Sequence, residues 1–183
     1  MNILISIILG LFVQTTGQWT TLFDGSSLAS FNPLGDANWK IVDGVAQADN
    51  GTGFLVTKSS YGDFQLKAEF WVDETGNSGI FIRCSDPKVV NANTSYEVNI
   101  FDKRPDQDYR TGAIVNFAKP KSVIDTIGKW NTMEITAQGP RLIVTINGIP
   151  MADVQDGKYA RGPIALQRSA GIVKFRNVQI RSM

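Results

Sequence analysis

From Trp19 onward the chain repeats one unit, a short run of β-branched or aromatic residues closed by Gly, Asn or Asp. That rhythm predicts antiparallel strands stacked as a sandwich or barrel, and it does not fit alternating βαβ units. Trp39 to Val42, then Asp43-Gly44, then Val45 to Ala48 is a two-residue hairpin signal. Leu142 to Ile146, Asn147-Gly148 and the stretch from Ile149 repeat it, because Asn, Asp and Gly accept the positive φ that such turns need.

Between the hairpins the period is two. Phe64, Leu66, Ala68 and Phe70 face one way, and Gln65, Lys67, Glu69 and Trp71 the other. In Gly79 to Cys84, Ile80, Ile82 and Cys84 oppose Phe81 and Arg83; in Tyr96 to Phe101, Tyr96, Val98 and Ile100 oppose Glu97, Asn99 and Phe101. Later strands are expected over Gly112 to Phe117, Trp130 to Ala137, Leu142 to Ile146, Pro163 to Gln167 and Ile172 to Ile180. The stretches from Asp102 to Arg110 and from Lys119 to Lys129 read as surface loops.

If the three alternating strands are sheet neighbours, Glu69, Arg83, Glu97 and Asn99 share one polar face with Trp71 and Phe81. Carboxylates, an Arg, an amide and flat rings suit a sugar, whose hydroxyls take polar partners and whose C–H faces pack on aromatics. The same residues also suit a solvated outer face with cross-strand ion pairs. Asp102, Asp106 and Asp108 form an acidic loop that offers oxygens to a divalent cation such as calcium. Its spacing is not that of an EF-hand, and Lys103, Arg104 and Arg110 already offset its charge. Cys84 falls on the apolar side, where a free thiol behaves as a small hydrophobe.

Composition narrows the chemistry. The 183 residues contain no His, which removes Ser-His-Asp and Cys-His catalysis, His-ligated zinc and imidazole bases together. Any acid or base is a carboxylate, Lys, Tyr or the one Cys, and one Cys forms no intrachain disulfide. The balance of 18 basic against 17 acidic residues argues against nucleic acid as a partner. Ile3 to Val13 is an unbroken apolar run, short for a membrane span, followed by Thr15 and Gly17. The expectation is a signal peptide over residues 1–18 and one β-sandwich domain over 19–183, secreted or periplasmic, with no transmembrane segment once the leader is removed.

The strings WTTLFDGSSL, WKIVDGVA, GDFQLKAEF, NSGIFIR, YEVNIFD, TGAIV, KWNTMEI, INGIP, GPIALQ and VKFRNVQI run in this order along the chain. In order and spacing they resemble the 3-keto-disaccharide hydrolase domain family across nearly all of Trp19 to Ser182. The resemblance implies an all-β, concanavalin A-like jelly-roll sandwich of two antiparallel sheets. It also implies a carbohydrate substrate whose ring is already oxidised to a ketone at C3. On that basis Glu97 in YEVNIFD is the expected acid or base and Arg83 in NSGIFIR its oxyanion partner. Glu69, Asn99, Trp71, Phe81, Gln167 and Ser169 are the expected binding residues, and Asp102 the expected contributor to a cation site. Members of that family often carry a His soon after the LQ of the penultimate strand, where this chain reads LQRSAG. The alternative function is a non-catalytic carbohydrate-binding module on the same sandwich.

Overall fold

The hairpin and alternation signals are realised as thirteen strands in a computed structural model that describes residues 17–183. The apolar run of the expected leader lies outside the described residues. The larger sheet has eight strands. Its order is β11 (Ile149–Gln155), β10 (Arg141–Ile146), β9 (Asn131–Gln138), β6 (Phe64–Val72), β13 (Val173–Ser182), β4 (Val45–Ala48) and β3 (Lys40–Val42), with β1 (Thr20–Phe23) also paired to β13. The smaller sheet has five, in the order β2 (Phe31–Gly35), β5 (Gly53–Thr57), β12 (Ala165–Arg168), β7 (Ser78–Ile82) and β8 (Tyr96–Ile100). Every pairing between named strands is antiparallel, and the only helix among the described residues is a 3-10 turn at Gln107–Tyr109.

Both hairpins close as expected. Asp43 and Gly44 have φ of 50° and 74°, and Asn147 and Gly148 have 53° and 76°, the left-handed pair that matches strand twist. The register then sets Val42 against Val45 and Ile146 against Ile149. The core lies between the sheets. Phe64, Leu66 and Phe70 of β6 meet Ile80 and Ile82 of β7 and Val98 and Ile100 of β8 in one buried cluster. Each such side chain contributes about 1.5–3 kcal/mol on burial.

Two expectations about which residues share a face are corrected. β6 does not neighbour β7; it belongs to the larger sheet, and the segment from Asp73 to Asn77 carries the chain across to the smaller one. Period two separates the faces of a strand but does not say which strand lies beside it. Arg83 also leaves the face shared with Phe81. It has φ 52°, and one left-handed residue reverses the alternation beyond it. Its guanidinium therefore turns inward at 1% exposure, and Cys84 moves to the outer side with Phe81, Val56, Val90 and Ala165.

Gly112 to Phe117 is the third difference. It makes only isolated bridges, Ile114 to Val98 and to Ala118, because Gly112 and Asn116 at φ 87° and 70° break the extended backbone on either side. It still docks along β8, where the Val115 amide donates to the Glu97 carbonyl and the Asn99 amide to the Ala113 carbonyl, both at 3.0 Å.

Candidate functional site

The outward face of the five-stranded sheet is built from two transverse rows. Register pairs Glu97 with Phe81, Phe81 with Ala165, Ala165 with Val56 and Val56 with Asn32. The next row on that face pairs Asn99 with Gly79, and Gln167 with Phe54 and Phe54 with Leu34. Continuing the β7–β12 register sets Gln167 opposite Gly79. Glu97, Asn99, Phe81 and Gln167 are thus brought together, as the sequence suggested, around a glycine that it did not single out.

Gly79 makes the notch. A Cβ there would lie 3.3 Å from the edge of the Phe81 ring and 3.5 Å from Glu97 Cγ, so both side chains lean over the space a larger residue would fill. Phe54 meets Phe81 edge to face, with ring centroids 5.3 Å apart. The Glu97 carboxyl is half-buried, and among the described residues it has no hydrogen-bond or ion-pair partner. Burial without a partner disfavours the charged form and pushes its pKa from 4.5 up to about 7, against a weaker opposing pull from the Arg104 guanidinium. A carboxyl poised there can take or give a proton near neutrality.

Two buried acceptors flank the notch unpaired. Asn99 is fully buried; its amide nitrogen donates to the Tyr109 carbonyl at 2.5 Å, and among the described residues Oδ1 has no partner. Gln167 Oε1 is also buried and, among the described residues, unpaired. Leaving such atoms unsatisfied costs about 1–3 kcal/mol each. Arg104 reaches this region from the loop after β8, with its guanidinium 5.8 Å from the centre of the Tyr109 ring. In the sequence Arg104 stands only as a charge that offsets the acidic loop, because a loop charge carries no parity.

The remaining expected residues lie elsewhere. Glu69 and Trp71 are on the outward face of the larger sheet, on the other side of the sandwich. Burial would raise the Glu69 pKa, but Asn177 at 2.7 Å and Arg176 at 2.7 Å hold it below its ordinary value, and Lys174 caps the Trp71 ring at 4.5 Å. Arg83 is a structural pin. Its Nε donates to the Gly62 carbonyl at 2.9 Å, Nη1 to the carbonyls of Gly139 and Tyr159 at 2.8 and 3.2 Å, and Nη2 to Asp63 at 3.0 Å. With these four contacts and 1% exposure, the guanidinium lies inside the sandwich and not on the outward face that carries Glu97, a position that does not suit the oxyanion role.

Asp102 does not fit a cation site either. Its Oδ1 accepts from the hydroxyls of Thr111 and Thr126, and its Oδ2 from the Thr126 amide at 2.6 Å, so it ties three loop segments together. Among the described residues no three His, Cys, Asp or Glu side chains cluster closely enough to hold a metal ion. Ser169 lies just beyond β12, where its amide donates to the Asn77 carbonyl at 2.9 Å.

At the far end of the first row the face opens into a cleft of ≈ 550 Å³, with Val56 and Asn32 in its wall and Cys84 beside them. Burial pushes the Cys84 thiol up to about 12, which keeps it neutral and unreactive.

Residues 18–181 match the family model of the 3-keto-alpha-glucoside-1,2-lyase-like domain. Two solved structures from Parabacteroides distasonis, each named a "putative glycosyl hydrolase", superpose with TM-scores of 0.82 and 0.78. The first is 21% identical over 91% of this chain and 94% of that one; the second is 28% identical over 91% and 100%. The carbohydrate-binding module CBM66 from Bacillus subtilis shares the fold at a TM-score of 0.63, with 20% identity over 92% of this chain and 98% of that one. No match was found among curated proteins. The sandwich expected from the sequence is the one observed: two antiparallel sheets, as in these jelly-roll neighbours.

Proposed function

Because this chain belongs to the 3-keto-alpha-glucoside-1,2-lyase-like domain family, we propose that it cleaves glycosides whose sugar ring carries a ketone at C3, with Glu97 as the proton-transfer group. The observation that carries this reading is the Glu97 side chain itself, half-buried beside the Gly79 notch and without a hydrogen-bond or ion-pair partner among the described residues, a position that raises its pKa to about 7.

A ketone at C3 acidifies the proton on C2. Ionised Glu97 removes that proton, and the C2–H electron pair becomes the C2–C3 double bond of an enolate while negative charge moves to the C3 oxygen. When the enolate collapses, the C1–C2 double bond forms, the C1–O bond breaks, and the leaving oxygen takes up the proton held by Glu97. The products are the free alcohol and an unsaturated keto sugar, and addition of water across the new double bond completes a net hydrolysis. Arg104, the cation whose field already reaches Glu97, replaces Arg83 as the group that steadies the enolate. Half-buried Gln167 offers its side-chain amide to ring hydroxyls, and half-buried Phe54, packed edge-on against the buried Phe81 ring, offers an apolar surface to the C–H face of the sugar.

The test is turnover of a 3-keto-disaccharide beside the same disaccharide unoxidised. Release of sugar from the first alone, lost in Glu97→Gln with affinity retained, supports the reading. Binding of both without turnover overturns it and leaves a carbohydrate-binding module. We extend the proposal to export, on the apolar run from Ile3 to Val13. N-terminal sequencing of the mature protein from the cell envelope or medium is its test, and a retained Met1 overturns it.

A further inference from the structure

The cleft at the far end of the Glu97 row is not used by the chemistry above, and its composition is one-sided. Its floor is apolar, with Leu34, Val56, Cys84 and Pro163, continuous through Ala165 and Phe81 with the notch. Among the described residues Lys58, Lys88 and Arg161 line it, and no Asp or Glu does. Three positive charges in one cleft exceed the net charge of +1 carried by the whole chain. Among the described residues neither Lys58 nor Lys88 makes an ion pair. Arg161 is held by one backbone contact, Nη2 to the Ser60 carbonyl at 2.8 Å. Asp86, the acid adjacent in sequence, is outside the lining and accepts from the Lys88 amide at 2.8 Å.

The register gives the distance. Glu97 on β8 and Val56 on β5 are separated by β7 and β12, three strand steps or roughly 14 Å. A glycoside with its reacting ring over Gly79 would therefore bring not its first bond but a more distant part of the leaving group to the cleft. Like charges facing one another over an apolar floor repel, and an anion relieves that repulsion where a neutral ring does not.

We propose that the cleft is a subsite for an anionic substituent, a carboxylate or a sulfate ester, on the part of the glycoside that departs from C1. This rests on the functional reading above for its orientation, with the reacting ring at Glu97. Lys58 and Lys88 select the charge, Arg161 adds to their field, and the apolar floor receives a C–H face of the sugar that carries the anion.

The test is calorimetric binding to the full protein of maltotriose and of the same trisaccharide bearing either a carboxylate or a 6-sulfate on its reducing-end sugar. The anionic probes should bind about tenfold more tightly than maltotriose at low salt, and added NaCl should erode the advantage. The double variant Lys58→Gln, Lys88→Gln should abolish it and leave the affinity for maltotriose within about twofold. Both side chains are exposed, so the fold should survive, which a melting curve checks. A response to only one of the two anions supports the subsite and names its charge. Equal affinities for all three probes, no measurable binding of any, or an advantage that survives in the double variant overturns it. Failure of the functional reading looks different: no turnover of a 3-keto-glycoside with the anionic preference intact overturns the role of Glu97 and leaves the cleft assignment standing.

Discussion

Replacing Glu97 by Gln should make the protein more stable, and only above a definite pH. The folded carboxyl titrates at about 7 instead of 4.5, because its half-buried position over Gly79 provides no hydrogen-bond partner for the charge. Between those values the folded chain holds a proton that the unfolded chain has released, so stability falls as pH rises through that window. The gap from 4.5 to about 7 corresponds to roughly 3 kcal/mol of destabilisation once both states are ionised, with Arg104 already included as the opposing pull. Glutamine has nearly the shape of the neutral acid and never ionises. Glu97→Gln should therefore match the parent protein near pH 4.5 and exceed it by up to about 3 kcal/mol at pH 8, or roughly 6–12 °C in melting midpoint for a domain of this size. Urea unfolding of both proteins at pH 4.5, 6 and 8, with the slope confirmed constant, measures the difference. A gap that is absent at pH 8, or equally large at pH 4.5, would show that the carboxyl is not a desolvated charge. A side chain that weakens the fold when ionised yet occupies the notch is the pattern expected of a group kept for chemistry.

The other predictions concern the same face and its frame. The ascending limb of kcat/KM against pH should have its midpoint near 7, and Arg104→Gln should move it upward, since Arg104 now favours the ionised form; a limb unmoved in that variant would remove Arg104 from the site. Arg83→Met should cost about 3 kcal/mol in urea, because the carbonyls of Gly62, Gly139 and Tyr159 lose their donor. Surviving native Arg83→Met protein should keep its KM; a large loss of kcat with unchanged stability would return Arg83 to the chemistry. Gly79→Val should weaken sugar binding roughly tenfold by filling the notch between Phe81 and Glu97, at a stability cost of about 1–3 kcal/mol, read by calorimetry and melting; full affinity would place the sugar elsewhere.

Strands and hairpins were legible in the chain because their causes are local. Alternation in Phe64 to Val72 follows from the pleat, and the Asp-Gly and Asn-Gly turns follow from the φ those residues tolerate. The polar face of β8 was legible for the same reason, so Glu97 and Asn99 stand together as their parity implies. Parity failed where one residue broke it. Arg83 at φ 52° reverses the two face assignments that follow Ile82 in its segment, which turns the guanidinium into the interior and carries Cys84 outward, and nothing in the string NSGIFIRC announces a left-handed Arg.

What the sequence alone determined is the set of elements, the absence of His chemistry and the outward parity of Glu97 and Asn99 on their strand. Only the tertiary structure decided which of those elements touch. Glu69 and Trp71 have the residue types and the parity of a sugar site, yet β6 pairs with β9 and β13, so both residues face away from Glu97 across the sandwich. The pKa of Glu97, the approach of Arg104 and the cationic cleft beyond Val56 likewise depend on burial and on strands distant in sequence. Local periodicity records which way a side chain points from its own backbone. Neighbours, solvation and charge are set by where the other strands come to rest.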